Sequence, residues 1–251
     1  MTQAISLYEQ EVLKDMKRWR KQMLRVPSLF SRLSGNVQRK INSYIPEKIH
    51  RALTTAIKQM VRAVLFGAEI TTREPINFGT LEEKEKMVLE RINFYKKTAA
   101  AEGGITGAGG ILLSLADFPL LLSIKMKMLF DIASLYGRKV EDYRERLFML
   151  FIFHLAFSNQ AKRKDIFLRM EDWEGTFHSL PADIHEFDWR TFQQEYRDYI
   201  DLAKLAQLIP VIGAPVGAVV NYRLLQKLGT TAMNAYRLRW FAQGKPPARI
   251  K

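Results

Sequence analysis

The sequence contains no cysteine among its 251 residues. That absence excludes a disulfide framework, a thiol nucleophile and every cysteine-ligated zinc or iron–sulfur centre. Histidine is scarce too. His50, His154, His178 and His185 form neither an i,i+4 pair nor an HExxH motif, so neither a metal nor a cofactor is expected. A GxSxG nucleophile elbow is missing, and Gly107-Ala108-Gly109-Gly110 lacks the lysine and Ser/Thr of a phosphate loop. Without paired carboxylates that stand out as an acid/base set, the residues name no reaction and the reading leans away from an enzyme. Alternating apolar and polar runs and β-hairpin dipeptides are also lacking, which excludes a sheet.

Acidic residues are few at both ends. Residues 1–60 hold six Lys and six Arg against three Glu and one Asp, a net +8, and residues 202–251 hold eight basic residues and no acid. The whole chain carries +13, so its middle is slightly acidic. Such ends attract polyanions, but no helix-turn-helix, zinc finger or aromatic stacking signature accompanies them, so specific nucleic-acid reading is not expected. An anionic membrane surface is the partner that the charge suggests.

What is abundant is helical periodicity. Ile5, Tyr8, Val12, Met16, Trp19 and Met23 recur at three- and four-residue steps, while Lys14, Lys17, Arg18, Arg20, Lys21 and Arg25 take other positions. A basic amphipathic helix of this kind either docks on a core or lies at a lipid interface. Glu9, Glu11 and Asp15 interrupt any secretory leader, so the chain is expected to begin in the cytoplasm. A second helix is expected from Pro46 to Gly67, and Thr80 with Glu83 forms a capping box that opens a third towards Ala101. Glu141 to Asn159 is a further helix, apolar nearly all round from Leu147 to Ala156 and therefore central. Asp188 caps a helix that ends before Pro210, and the last helix spans about Thr230 to Phe241.

Two low-charge blocks rich in glycine and proline carry the most information. Gly103 to Ile124 is 22 residues long with one ionisable group, Asp117, and Leu205 to Tyr222 has no charge over 18 residues. Pro119 is expected to break the first block, with Asp117 capping the helix that follows and Gly137 ending it. Gly103 and Gly107 are four apart, as are Gly213 and Gly217, so in a helix each pair stacks on one face and admits a neighbouring backbone. A mid-helix glycine costs about 1 kcal/mol relative to alanine, so several together require a packing reason. The alternative is a hairpin that enters the bilayer, where Asp117 and Asn221 would be the costly polar groups.

The expected fold is therefore all-α, a single domain over 1–245 of about eight helices, with the two Gly/Pro segments packed centrally. Residues 40–137 and 138–240 form pseudo-halves, and 246–251 is a loose basic tail. A third, weaker alternative is a hydrolase using the acidic loop from Asp172 to Asp188, which also holds Glu174, Asp183, His185 and Glu186.

The segments INSYIPEKIHRALTTAIKQMV at 41–61, GGITGAGGILLSLADFPLLLSIKMKMLFDIASLYG at 103–137 and FQQEYRDYIDLAKLAQLIPVIGAPVGAVVNYRLLQKLGTTAMNAYRLR at 192–239 resemble the EcsC family. The resemblance covers about Tyr8 to Trp240. It matches Pro46, Gly103, Gly107, Asp117, Pro119, Tyr136, Gly137, Tyr196, Asp201, Pro210, Gly213, Gly217 and Asn221, and it brings no catalytic residue. The family takes its name from an operon encoding an Ecs-type ABC transporter. The resemblance thus implies a bacterial accessory protein, peripheral at the cytoplasmic face of the cell membrane, with ABC transporter subunits as candidate partners.

Overall fold

Leu81, Glu85, Val88, Ile92, Tyr95 and Ala99 follow one another at helical steps, and all six are buried. They line the buried face of one long helix. The structure is a computed structural model that describes the backbone of residues 5–25, 55, 57–64, 74–107, 110–158, 160–179 and 213–244. Side chains are described over the same residues except 102–119, 160, 161, 213–217, 243 and 244. Seven helices are bounded: α1 Leu7–Met23, α2 Leu81–Gly107, α3 Gly110–Leu135, α4 Tyr143–Phe157, α5 Gln160–Glu171, α6 Trp173–His178 and α7 Gly213–Gly244. Residues 57–64 are helical as well, and no strand or sheet is present among the described residues, so the all-α expectation holds.

Local chemistry sets the ends. The Thr80 N–H donates to Glu83 Oε2 at 2.7 Å and the Glu83 N–H donates to Thr80 Oγ1 at 3.3 Å, the reciprocal capping box expected before α2. Ser6 and Glu9 close the same motif at α1. Asp142 accepts from the Arg144 N–H at 2.9 Å and starts α4. After α3 the chain turns at Gly137, whose φ of 81° lies in the left-handed region. There the Arg138 N–H reaches the Ala133 carbonyl and the Gly137 N–H the Ser134 carbonyl, each at 2.9 Å. A Cβ on Gly137 would stand 2.9 Å from the Ile76 carbonyl oxygen.

Three boundaries differ from expectation, and each involves a glycine or a proline. The α2 helix does not stop near Ala101 but continues through Gly103 to Gly107. Pro119 does not break its block: α3 runs unbroken from Gly110 to Leu135, so Asp117 lies inside a helix rather than at its cap. An interior proline costs about 3 kcal/mol through one lost hydrogen bond and a clash. The residues that follow offset that cost, because Leu121, Leu122, Met126, Met128, Leu129 and Phe130 are all buried. Finally, the helix expected from Thr230 is only the second half of α7, which begins at Gly213. Pro215 is tolerated there because first-turn N–H groups have no intrahelical partner.

The core is a bundle of α2, α3 and α7. Gly229 of α7 meets Ile92 of α2, Arg237 meets Glu85, and Gln226 meets Lys96, so α7 runs antiparallel to α2. Tyr136 and Asp131 of the α3 end reach Glu85 and Tyr95, so α3 is antiparallel to α2 and parallel to α7. Across this bundle lies α4, whose Leu147 to Phe157 are all buried, as its apolar sequence requires. No described helix is long and apolar enough to cross a membrane. The expected helix from Pro46 to Gly67 is described only at 55 and 57–64. The Asp188 helix, Tyr196, Asp201, Pro210 and the 246–251 tail lie outside the described residues.

Candidate functional site

Helix α1 presents two faces. Val12, Met16 and Trp19 are buried, and the Trp19 ring meets Phe167 of α5 edge-on at 5.2 Å. Burial of each such side chain is worth about 1.5–3 kcal/mol, so this apolar face is committed to the core. Polar clamps hold both ends of the helix. Tyr8 Oη donates to Glu85 of α2 at 2.6 Å, Trp240 Nε1 of α7 donates to Glu9 at 3.4 Å, and Arg20 Nε pairs with Glu171 of α5 at 2.6 Å. Lys14, Lys17, Arg18, Lys21 and Arg25 remain exposed. Arg18 also pairs with Asp15, but both side chains stay open to solvent. Of the six basic residues expected to face a membrane, Arg20 alone is drawn into an ion pair with another helix.

Beneath α1 lies a network that the sequence reading missed. Glu85 is fully buried and accepts from Arg237 Nε at 2.7 Å and Nη2 at 2.5 Å, from Tyr8 and, at 3.0 Å, from Tyr136. Glu145 of α4 repeats the pattern, accepting from Tyr236 Oη at 2.8 Å and Arg239 Nη1 at 2.6 Å. Tyr136 and Tyr236 stack at 5.1 Å and join the two centres. Burial, then the Glu85 charge, raises the Tyr136 pKa, and burial with Glu145 does the same to Tyr236. Burial opposes the charge on Arg237, but its hydrogen bond to Glu85 overcomes this and lifts its pKa. Tyr136, Tyr236 and Arg237 therefore keep their protons near neutrality. A third acid, Asp131, takes Tyr95 at 2.8 Å and Lys127 at 2.7 Å. Acids held in this way tie helices together, because removing one partner would leave a buried charge uncompensated.

The glycine pairs sit towards the opposite end of the bundle. Gly103 and Gly107 occupy the last turns of α2, Asp117 and Pro119 lie within α3, and Gly213 and Gly217 lie in the first turns of α7. Continued along both helices, the antiparallel register brings Gly103 level with Ala218 and Gly107 level with Ala214. Asn221 is fully buried, and neither amide atom has a hydrogen-bond partner among the described residues. Near this end Leu120, Val219 and Tyr222 are exposed.

The remaining candidates disperse. Asp172 caps α6 by accepting from the Gly175 N–H at 3.2 Å, and Glu174 follows in the first turn. The rest of the acidic loop, Asp183, His185, Glu186 and Asp188, lies outside the described residues, as does His50. His154 is buried, its pKa pushed down to about 3 by burial and then by Arg169, while His178 is exposed. No metal-holding group of three or more His, Asp or Glu side chains occurs among the described residues.

Helices locked by buried acid–base pairs, beside a clamped helix with an outward basic row, define an all-α protein organised around helix packing. The chain belongs to the EcsC protein family, whose model matches residues 10–241. It is 48% identical to Protein EcsC of Bacillus subtilis (strain 168), over 92% of this chain and 95% of that one. It is also 25% identical to the protein YdbA of the same organism, over 90% of each chain. No solved structure matches it.

Proposed function

We propose that this chain is a non-catalytic accessory protein that docks on the anionic cytoplasmic face of the cell membrane. The exposed row Lys14, Lys17, Arg18, Lys21 and Arg25 is the observation that carries the reading. Each basic side chain near an anionic leaflet contributes about 1 kcal/mol, and α1 is held rigidly enough to present several together. Because Val12, Met16 and Trp19 are buried in the core, attraction rather than insertion supplies the binding. The saturation of Glu85 and Glu145 by tyrosine and arginine supports a structural role for the acids. Membership of the EcsC family suggests ABC transporter subunits as the integral partner beside which it docks.

Flotation with vesicles tests the membrane step. The protein is expected to float with phosphatidylglycerol-containing vesicles and not with pure phosphatidylcholine. A Lys14→Glu/Lys17→Glu/Lys21→Glu variant should melt like the wild type and stay unbound. Flotation of that variant with the anionic vesicles would refute the docking face.

A second reading is favoured by Leu120, Val219 and Tyr222, which expose apolar surface beside the glycine blocks. In it, the Gly/Pro ends of α2, α3 and α7 dip into the leaflet.

A further inference from the structure

Leu7 opens α1 at its first helical position and is 81% exposed, which makes it the most exposed large apolar side chain among the described residues. It takes no part in the core described above, and neither does Ile5, 38% exposed just before the cap. A hydrophobic staple would pair the residue before the cap with the fourth helical position, but that position is Gln10. Local helix chemistry therefore gives no reason for either side chain to be apolar.

Helix geometry fixes where Leu7 points. Leu7, Lys14 and Lys21 are successive heptad positions, and a helix drifts only about 20° per heptad, so the three stand in one stripe. Arg18 and Arg25 lie one turn along from Lys14 and Lys21, on the same side. The stripe is opposite to Val12, Met16 and Trp19, whose burial sets the inward side. Rolling of the helix about its axis is prevented, because Tyr8 holds Glu85, Glu9 holds Trp240 and Arg20 holds Glu171. Leu7 thus heads the exposed basic row.

Charge alone does not lay this helix flat. Its five exposed bases all fall between residues 14 and 25, whereas the first two turns turn Gln10 and Glu11 outward and hold no base. Beside an anionic leaflet the basic end is pulled in and the end with Glu11 is pushed away. Leu7 sits in that repelled half.

We infer that Leu7, with Ile5 two residues before it, is a shallow apolar anchor that enters the acyl boundary of an anionic lipid leaflet and holds α1 flat upon it. The inference rests on the membrane reading above and adds to it an insertion point and an orientation. The end of the bundle where α1 meets Glu85 and Trp240 touches the acyl chains, and the glycine end does not. One or two side chains bury far less apolar area than a whole helix face, so docking stays mainly electrostatic and salt still releases the protein.

The test uses the full chain, whose lack of cysteine lets a single Leu7→Cys substitution carry a nitrobenzoxadiazole label at that position alone. Val219→Cys, at a side chain 49% exposed near the glycine pairs, is labelled in parallel. With phosphatidylglycerol-containing vesicles the Leu7 label is expected to shift to the blue and to be quenched by lipids brominated on their acyl chains, while the Val219 label stays aqueous. Leu7→Gln should melt like the wild type and partition about three- to tenfold more weakly, and Leu7→Trp should partition at least as tightly as the wild type. The label and the tryptophan variant carry the comparison should Leu7→Gln lose stability. A chain that floats with its Leu7 label in water, or with only the Val219 label quenched, overturns the anchor and leaves electrostatic docking standing. Wild-type partitioning of Leu7→Gln does the same, whereas a wild-type chain that fails to float overturns both.

Discussion

Among the described residues, the buried acids Glu85 and Glu145 are each held by several partners, while the buried Lys125 has only one weak hydrogen bond. Glu85 and Glu145 each hold a tyrosine and an arginine, and such charged hydrogen bonds are worth about 1.5–3 kcal/mol apiece. Lys125 has no such partner, and burial holds its pKa near 7, well below that of an unfolded chain. Between these values the unfolded state binds more protons, so stability rises with pH from about 7 towards 10. Lys84, depressed by burial and then by Arg138, contributes in the same direction. Above pH 10 the trend reverses, because Tyr8, Tyr136 and Tyr236 have raised pKa values and the unfolded state loses its tyrosine protons first. Urea denaturation at pH 7 and pH 9.5 is expected to show the higher midpoint at pH 9.5, with a smaller difference in Lys125→Met; an unchanged difference would place Lys125 in water. None of this was legible in the sequence. Glu85 occupies a core position of the α2 stripe, but its meaning depends on Arg237, 152 residues away. The local chemistry of Thr80, Glu83 and Gly137 was legible because their hydrogen bonds lie within a few residues.

At the level of whole helices, periodicity identified α1, a capping box α2 and an apolar run α4, while glycine and proline misled at the ends. Pro119 stands inside α3 because burial of the flanking helix outweighs a single lost bond, whereas Pro215 stands in the first turn of α7, where no intrahelical bond is lost. A small residue does bring two helices close, at a position that the sequence pattern did not single out. A Cβ on Gly229 would stand 2.7 Å from Cδ1 and Cγ1 of Ile92, so α2 and α7 meet there without room for a methyl group. Gly229→Ala is expected to destabilise by about 1–3 kcal/mol, despite its better helix propensity. Ile92→Val in the same chain should recover part of that loss. A double-mutant cycle by chemical denaturation measures the coupling, and strictly additive effects would show that the two helices do not touch at this point.

For the molecule as a whole, the described helices combine into one arrangement. The core of α2, α3 and α7 is fastened by acid–base pairs towards one end and carries the glycine pairs towards the other, while α1 lies clamped alongside with its charge outward. The net charge was legible from composition, but which basic residues remain free was not, since Arg20 is claimed by Glu171 on a helix far along the chain. Docking by exposed charge is screened within about 8 Å at physiological ionic strength, whereas an inserted apolar segment is indifferent to salt. Extraction of native membranes therefore tests the account most directly: the protein should leave the membrane in high salt without detergent. Retention through both high salt and alkaline carbonate, with release only by detergent, would contradict it.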